Sequence, residues 1–167
     1  MNRFSIFHFS SSNKGFTLIE LLLVIALIGI LTIASLVGFN NYQQTQIFQT
    51  NASAVVEMVN LAKSRALTQV KPTQCQSAGK VLRGYQIHIM PSGTQYRLEA
   101  VCDASTYVLD TKDLPSSLAF TPTSQRRILF VVSTGIVNNP GSVSITGFGR
   151  TKKIDVGQTG IISVTDL

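Results

Sequence analysis

Hydrophobic and polar positions divide the chain into three stretches. Residues 16–39 read FTLIELLLVIALIGILTIASLVGF, and no Asp, Glu, Lys or Arg occurs from Leu21 to Phe39. Apolar residues occupy every face of a 3.6-residue repeat, so this stretch predicts a helix without a polar side. At 1.5 Å rise per residue, ~20 apolar residues cross a hydrocarbon core of ~30 Å, and the run is long enough.

The second stretch is one-sided. Val55, Met58, Val59, Ala62 and Ala66 recur at helical spacing, with Glu57, Asn60, Lys63 and Ser64 off the stripe. No strong turn signal separates the two stretches, and the residue before Pro72 disfavours helical dihedrals. The pattern therefore predicts one helix from about residue 16 to 70, with an apolar first half and an amphipathic second half that packs on a head.

From Pro72 onward the period changes to two. Tyr85–Ile89 and Tyr96–Cys102 alternate around a Pro91-Ser92-Gly93-Thr94 turn. Further strands are predicted at 106–110, 118–120, 128–133, 143–146, 153–156 and 161–164, punctuated by Asn138-Asn139-Pro140-Gly141 and several glycines. Short strands with tight connections pair antiparallel. The expected class is α+β, with a long helix laid on a β-rich head.

Composition sharpens this picture. Only 13% of the 167 residues are charged and 44% are apolar, which excludes a disordered chain and disfavours a soluble enzyme. Such a length accommodates one ordinary domain and an extra helix. Of the formal net charge of +6, Arg3 and Lys14 lie before the apolar run, and the next charged residue after it is Glu57. The positive-inside rule then puts the N-terminus in the cytoplasm and everything after about residue 40 outside. A cleaved secretory signal has a shorter apolar region ending in a small-x-small site, and here the nearest such triplet, Thr32-Ile33-Ala34, lies inside the run. Glu20 is the anomaly, because a carboxylate within a membrane helix costs about 2.5–3.5 kcal/mol unless it reaches water or a partner.

Lys14-Gly15-Phe16-Thr17-Leu18-Ile19-Glu20, followed by the apolar run, resembles the processing signal of type IV pilins and type II secretion pseudopilins. The resemblance implies cleavage by a prepilin peptidase between Gly15 and Phe16 and N-methylation of Phe16 by the same enzyme. Removing 15 of the 167 residues leaves a mature chain of 152. The new amine is mostly cationic at neutral pH and is expected four residues from Glu20 on one helix face. The family assigns Glu20 a pairing with the N-terminus of a neighbouring subunit; pairing with its own amine is the alternative. The implied organisation is a leader at 1–15, a membrane or filament-core half-helix at 16–39, an amphipathic half at 40–71 and an extracytoplasmic head at 72–167. The implied partners are the peptidase and methyltransferase, inner-membrane lipid before assembly, and other pilins or pseudopilins in a filament. Gly29 and Gly38 interrupt the apolar half, which lacks the helix-bending proline of many major pilins.

The tail GFGRTKKIDVGQTGIISV is similar to GspH/FimT-type minor pilins, in which a Gly-Arg hairpin precedes a closing strand. Related FimT-type proteins in DNA uptake use Gly-Arg-x-Arg to bind DNA. Here the motif reads Gly149-Arg150-Thr151-Lys152, with Lys153 following. Lysine keeps the charge but loses the bidentate fork of arginine. The resemblance thus implies two function classes: a structural minor pilin or pseudopilin, and a pilus-displayed DNA-binding subunit using Arg150, Lys152 and Lys153. A solvated hairpin is the plainer account of these cations.

Cys75 and Cys102 are the only cysteines, and both fall in the half expected outside. An oxidising compartment favours a disulfide between them, with two buried thiols as the alternative. Two thiols and a distant His88 lack metal-ligand spacing, so no metal and no cofactor is expected. His88 is the only histidine after the leader, and no catalytic motif accompanies it. Enzymatic activity is not expected.

Overall fold

A computed structural model describes residues 15–77 and 79–167, and two compact units divide the chain between Tyr42 and Gln43. The leader expected at 1–15 falls outside the described residues except for Gly15. Helix α1 spans Leu18–Thr68. In the first unit every described side chain from Leu18 to Ile30 is exposed, on all sides of the helix. Among the described residues no helix is long and apolar enough to cross a membrane; the side chains of residues 31 and 33–37, inside the apolar run, are not among those described.

The second unit, Gln43–Leu167, is built on the remainder of α1. The predicted stripe of Val55, Met58, Val59, Ala62 and Ala66 is buried, and Phe48 and Ala52 extend it toward the N-terminus. These two were missed because polar neighbours such as Gln49, Thr50 and Asn51 mask their period. Ala52, Ala62 and Ala66 are completely buried. The helix ends at Thr68, and Gln69 adopts a left-handed conformation (φ 55°) that turns the chain out of the helix.

A short helix α2, Thr73–Ser77, follows; periodicity cannot reveal an element of barely more than one turn. The strands are β1 (Leu82–Ile89), β2 (Gln95–Cys102), β3 (Ser105–Asp113), β4 (Ala119–Phe120) and β5 (Arg127–Val131). The rest are β6 (Val137–Asn138), β7 (Gly141–Gly147), β8 (Arg150–Val156) and β9 (Ile162–Asp166). They form a five-stranded sheet in the order β3-β2-β1-β5-β6 and a four-stranded sheet in the order β4-β7-β8-β9. Every pairing is antiparallel. The class is α+β, as expected. The predicted strands recur with boundaries shifted by a few residues; β6, whose two residues abut the Asn-Asn-Pro-Gly turn, was not anticipated.

Alternation decides which side chains enter the core. Tyr85, Ile87 and Ile89 of β1 are buried, as are Tyr96, Leu98 and Ala100 of β2. Val143, Ile145, Ile154 and Val156 do the same for the second sheet. Tyr96 meets Phe120 of β4 edge to face, with centroids 5.7 Å apart, joining the two sheets through one aromatic contact. Gly84 lies where the β1–β2 register shifts, and a Cβ there would fall 2.2 Å from the carbonyl oxygen of Phe130 in β5.

Two outcomes follow from this packing. Gly84→Ala should cost about 1–3 kcal/mol in urea unfolding, because the atom it meets is backbone and cannot rotate away. Burial pushes the Tyr96 hydroxyl up to about 12, assisted by the nearby charges of Asp110 and Glu57. An unfolded tyrosine ionises near pH 10 while native Tyr96 holds its proton, so stability falls as pH rises from about 10 to 12. Tyr96→Phe should flatten that decline in thermal melts taken across this range.

Candidate functional site

At the N-terminal end the chain changes from non-helical to helical within three residues. Gly15, Phe16 and Thr17 precede α1, and Phe16 is 80% exposed. The Glu20 backbone N–H donates to Thr17 Oγ1 at 3.3 Å and to the Thr17 carbonyl at 3.1 Å. Thr17 therefore caps the helix and Glu20 takes the third helical position, where its charge complements the helix dipole. Thr-x-x-Glu was legible as a capping box but went unread. The helix expected from about residue 16 begins at Leu18 in the full chain, two residues later, where the cap starts it. The Gly15–Phe16 bond lies in exposed, non-helical backbone.

The tail cations do not converge. A two-residue turn, Phe148 (φ 53°) and Gly149 (φ 71°), joins β7 to β8, both residues taking the positive φ that a type I′ hairpin needs. Arg150 Nη1 donates to Thr45 Oγ1 at 2.6 Å. Two residues on, Lys152 Nζ donates to Gln49 Oε1 at 2.6 Å and pairs with Asp166 at 3.2 Å, with 12% of its side chain exposed. Thr45 and Gln49 are one helical turn apart, and Arg150 and Lys152 share one face of β8. Together they tie the hairpin to α1. Lys153 falls on the opposite strand face and pairs with Asp155 at 2.9 Å.

The cysteines do meet. Cys75 of α2 and Cys102 at the end of β2 are disulfide-bonded, and both are fully buried. The bond fastens the segment leaving α1 to the first sheet. Tyr85 adds a second tie there, its hydroxyl donating to the Val70 carbonyl. Burial raises the Tyr85 pKa, opposed in part by Arg65.

His88 belongs to a polar group on the first sheet that sequence reasoning did not assemble. Glu99 is 5% exposed; Gln86 Nε2 donates to its Oε2 at 2.5 Å, and His88 Nδ1 lies 3.0 Å from its Oε1. Strand register brings them together: Gln86 faces Glu99, and His88 faces Arg97 beside it. Both carboxylate oxygens are thereby satisfied, as a buried acid requires. Only knowledge of the β1–β2 register would have joined these positions.

Comparison with known proteins bears on the N-terminal end. Residues 10–36 match the family described as the prokaryotic N-terminal methylation motif. The chain is 36% identical over 74 residues to the type IV major fimbrial protein FimA of Dichelobacter nodosus strain VCS1703A, covering 44% of this chain and 43% of that protein. A second FimA from Dichelobacter nodosus is 35% identical over 74 residues, covering 44% of each. The chain thus aligns with less than half the length of these curated relatives. No solved structure matches significantly.

Thiol titration of the unfolded chain should find no free thiol without reductant and two with it. Closing a loop of 27 residues is worth about 3–4 kcal/mol in the chain-entropy account, so reduction should lower the urea midpoint accordingly.

Proposed function

Because this chain is type IV pilin-like, we propose that it is a structural subunit cut by a prepilin peptidase and assembled into a filament. The observation that carries this reading is the pairing of the methylation motif at residues 10–36 with a helix half exposed on all sides, Leu18–Ile30. A soluble protein rarely leaves so much apolar surface uncovered. In this reading residues 16–39 lie in the inner membrane before assembly, with the N-terminus cytoplasmic and the head outside. Afterwards the same residues pack among identical helices. The finer assignment is a minor pilin or pseudopilin, supported by the Gly-Arg hairpin and by a helix without proline from residue 16 to 70.

The Thr17 cap adds a physical detail to processing. Proteases take their substrates extended, and the cap leaves Gly15 and Phe16 outside the helix. Cleavage places a cation at the positive end of the helix dipole, and Glu20 in the first turn is the nearest described anion to offset it. Buried in lipid or a filament core, the two charges are far less costly paired than apart. The DNA-binding reading has weaker support, because Arg150 and Lys152 are engaged by Thr45, Gln49 and Asp166 within the chain.

Mass spectrometry of the natural product should find an N-methylated Phe16 start and 152 residues, the 167 less the 15 of the leader. Glu20→Ala should insert in the membrane as the wild type does, yet enter sheared filaments at least about tenfold less, the equivalent of losing ~1.4 kcal/mol from an ion pair. An unprocessed N-terminus, or normal incorporation of Glu20→Ala, rejects the respective part of the reading.

A further inference from the structure

The first sheet carries two arginines on one side and two aspartates flanking a lysine on the other. Between Asp113 and Arg150 the only charged residues are Arg126 and Arg127. Arg127 opens β5 and lies in register with His88 of β1, which faces Arg97 of β2, which faces Thr111 of β3. One row therefore crosses four strands. With strands ~4.8 Å apart, its ends are about 14 Å from each other. On the β5 side, β6 pairs only with Leu129 and Phe130, so no strand flanks Arg127 there. Both arginines are exposed, and neither guanidinium makes a hydrogen bond or ion pair among the described residues.

The opposite side is β3, which pairs with β2 alone along its whole length. Its exposed end carries Asp110 and Asp113 with Lys112 between them, a net negative charge. Asp113 accepts one hydrogen bond, from Gln95 Nε2 at 3.0 Å, through Oδ1. Asp110 has no hydrogen bond or ion pair among the described residues. A nine-residue edge strand is an open template for another chain unless something covers it.

We propose that the first sheet docks side by side on a second copy of this chain, Arg126 and Arg127 of one copy meeting Asp110 and Asp113 of the next. The second copy is the occupant because the two charge pairs are complementary and lie on opposite sides of one sheet. A contact between unlike patches is head to tail and repeats without closing, the geometry of a filament rather than of a two-fold dimer. It rests on the subunit reading above and names the surface through which subunits meet. Exposed ion pairs contribute little affinity individually, so this contact acts on register and partner choice and weakens with salt.

The test uses the full chain in cells that assemble filaments. Arg126→Glu with Arg127→Glu, or Asp110→Lys with Asp113→Lys, should lower the amount recovered in sheared filaments about tenfold, and all four together should restore it to within about twofold. Arg127→Cys in one copy and Asp113→Cys in another should form an intermolecular disulfide, which covers the case of a reversed chain that fails to fold. Unchanged incorporation of both reversed pairs, no rescue by the fourfold swap, or no cross-link in filaments containing the wild type overturns the contact and leaves the subunit reading intact. A wild-type chain absent from filaments rejects the subunit reading, and the contact with it.

Discussion

The head depends on one contact: the buried stripe of α1, from Phe48 to Ala66, against the inner faces of two sheets. Sheets of this size need another layer packed on them to exclude water from their apolar faces. The helix supplies it. Ala52, Ala62 and Ala66 are fully buried, so these positions tolerate little added volume. Large side chains are supplied mainly from the strands, by Tyr85, Ile87, Leu98, Phe130 and Ile145.

The same helix shows two physical regimes. Residues Leu18–Ile30 have no polar side to present to water and no described side chain among them is buried. From Phe48 onward the apolar stripe is covered by the head, and Leu61 and Leu67 are the large apolar side chains left exposed. Residues 40–46 are polar apart from Tyr42, and in and beside this stretch Thr45 and Gln49 receive Arg150 and Lys152. Two of the three cations of the hairpin that resembles a nucleic-acid motif, Arg150 and Lys152, thus tie it to α1. A charge run in a sequence reports potential, and only the partners decide whether that potential reaches a ligand.

Buried polar groups follow the same accounting. Glu99 has both oxygens occupied by Gln86 and His88, and among the described residues no buried side-chain nitrogen or oxygen lacks a partner. The polar face of the first sheet is therefore saturated at its centre. Exposed charges remain on Arg126 and Arg127 at β5, on Asp110 and Asp113 of β3, and on Arg83 of the central strand β1.

Sequence alone determined the helix with its two halves, the helix stripe, most strands and their turns, because periodicity and punctuation are local properties of the chain. The processing motif was equally legible, being contiguous from Lys14 to Glu20. Even the Thr17 cap was written there as Thr-x-x-Glu. What tertiary structure decided were relations between distant positions: the meeting of Cys75 with Cys102, the burial of Lys152 against Gln49 and Asp166, and the assembly of Gln86, His88 and Glu99. Each needs a strand register or a helix docked on a sheet, and register is set by which whole face is buried rather than by any residue's own preference.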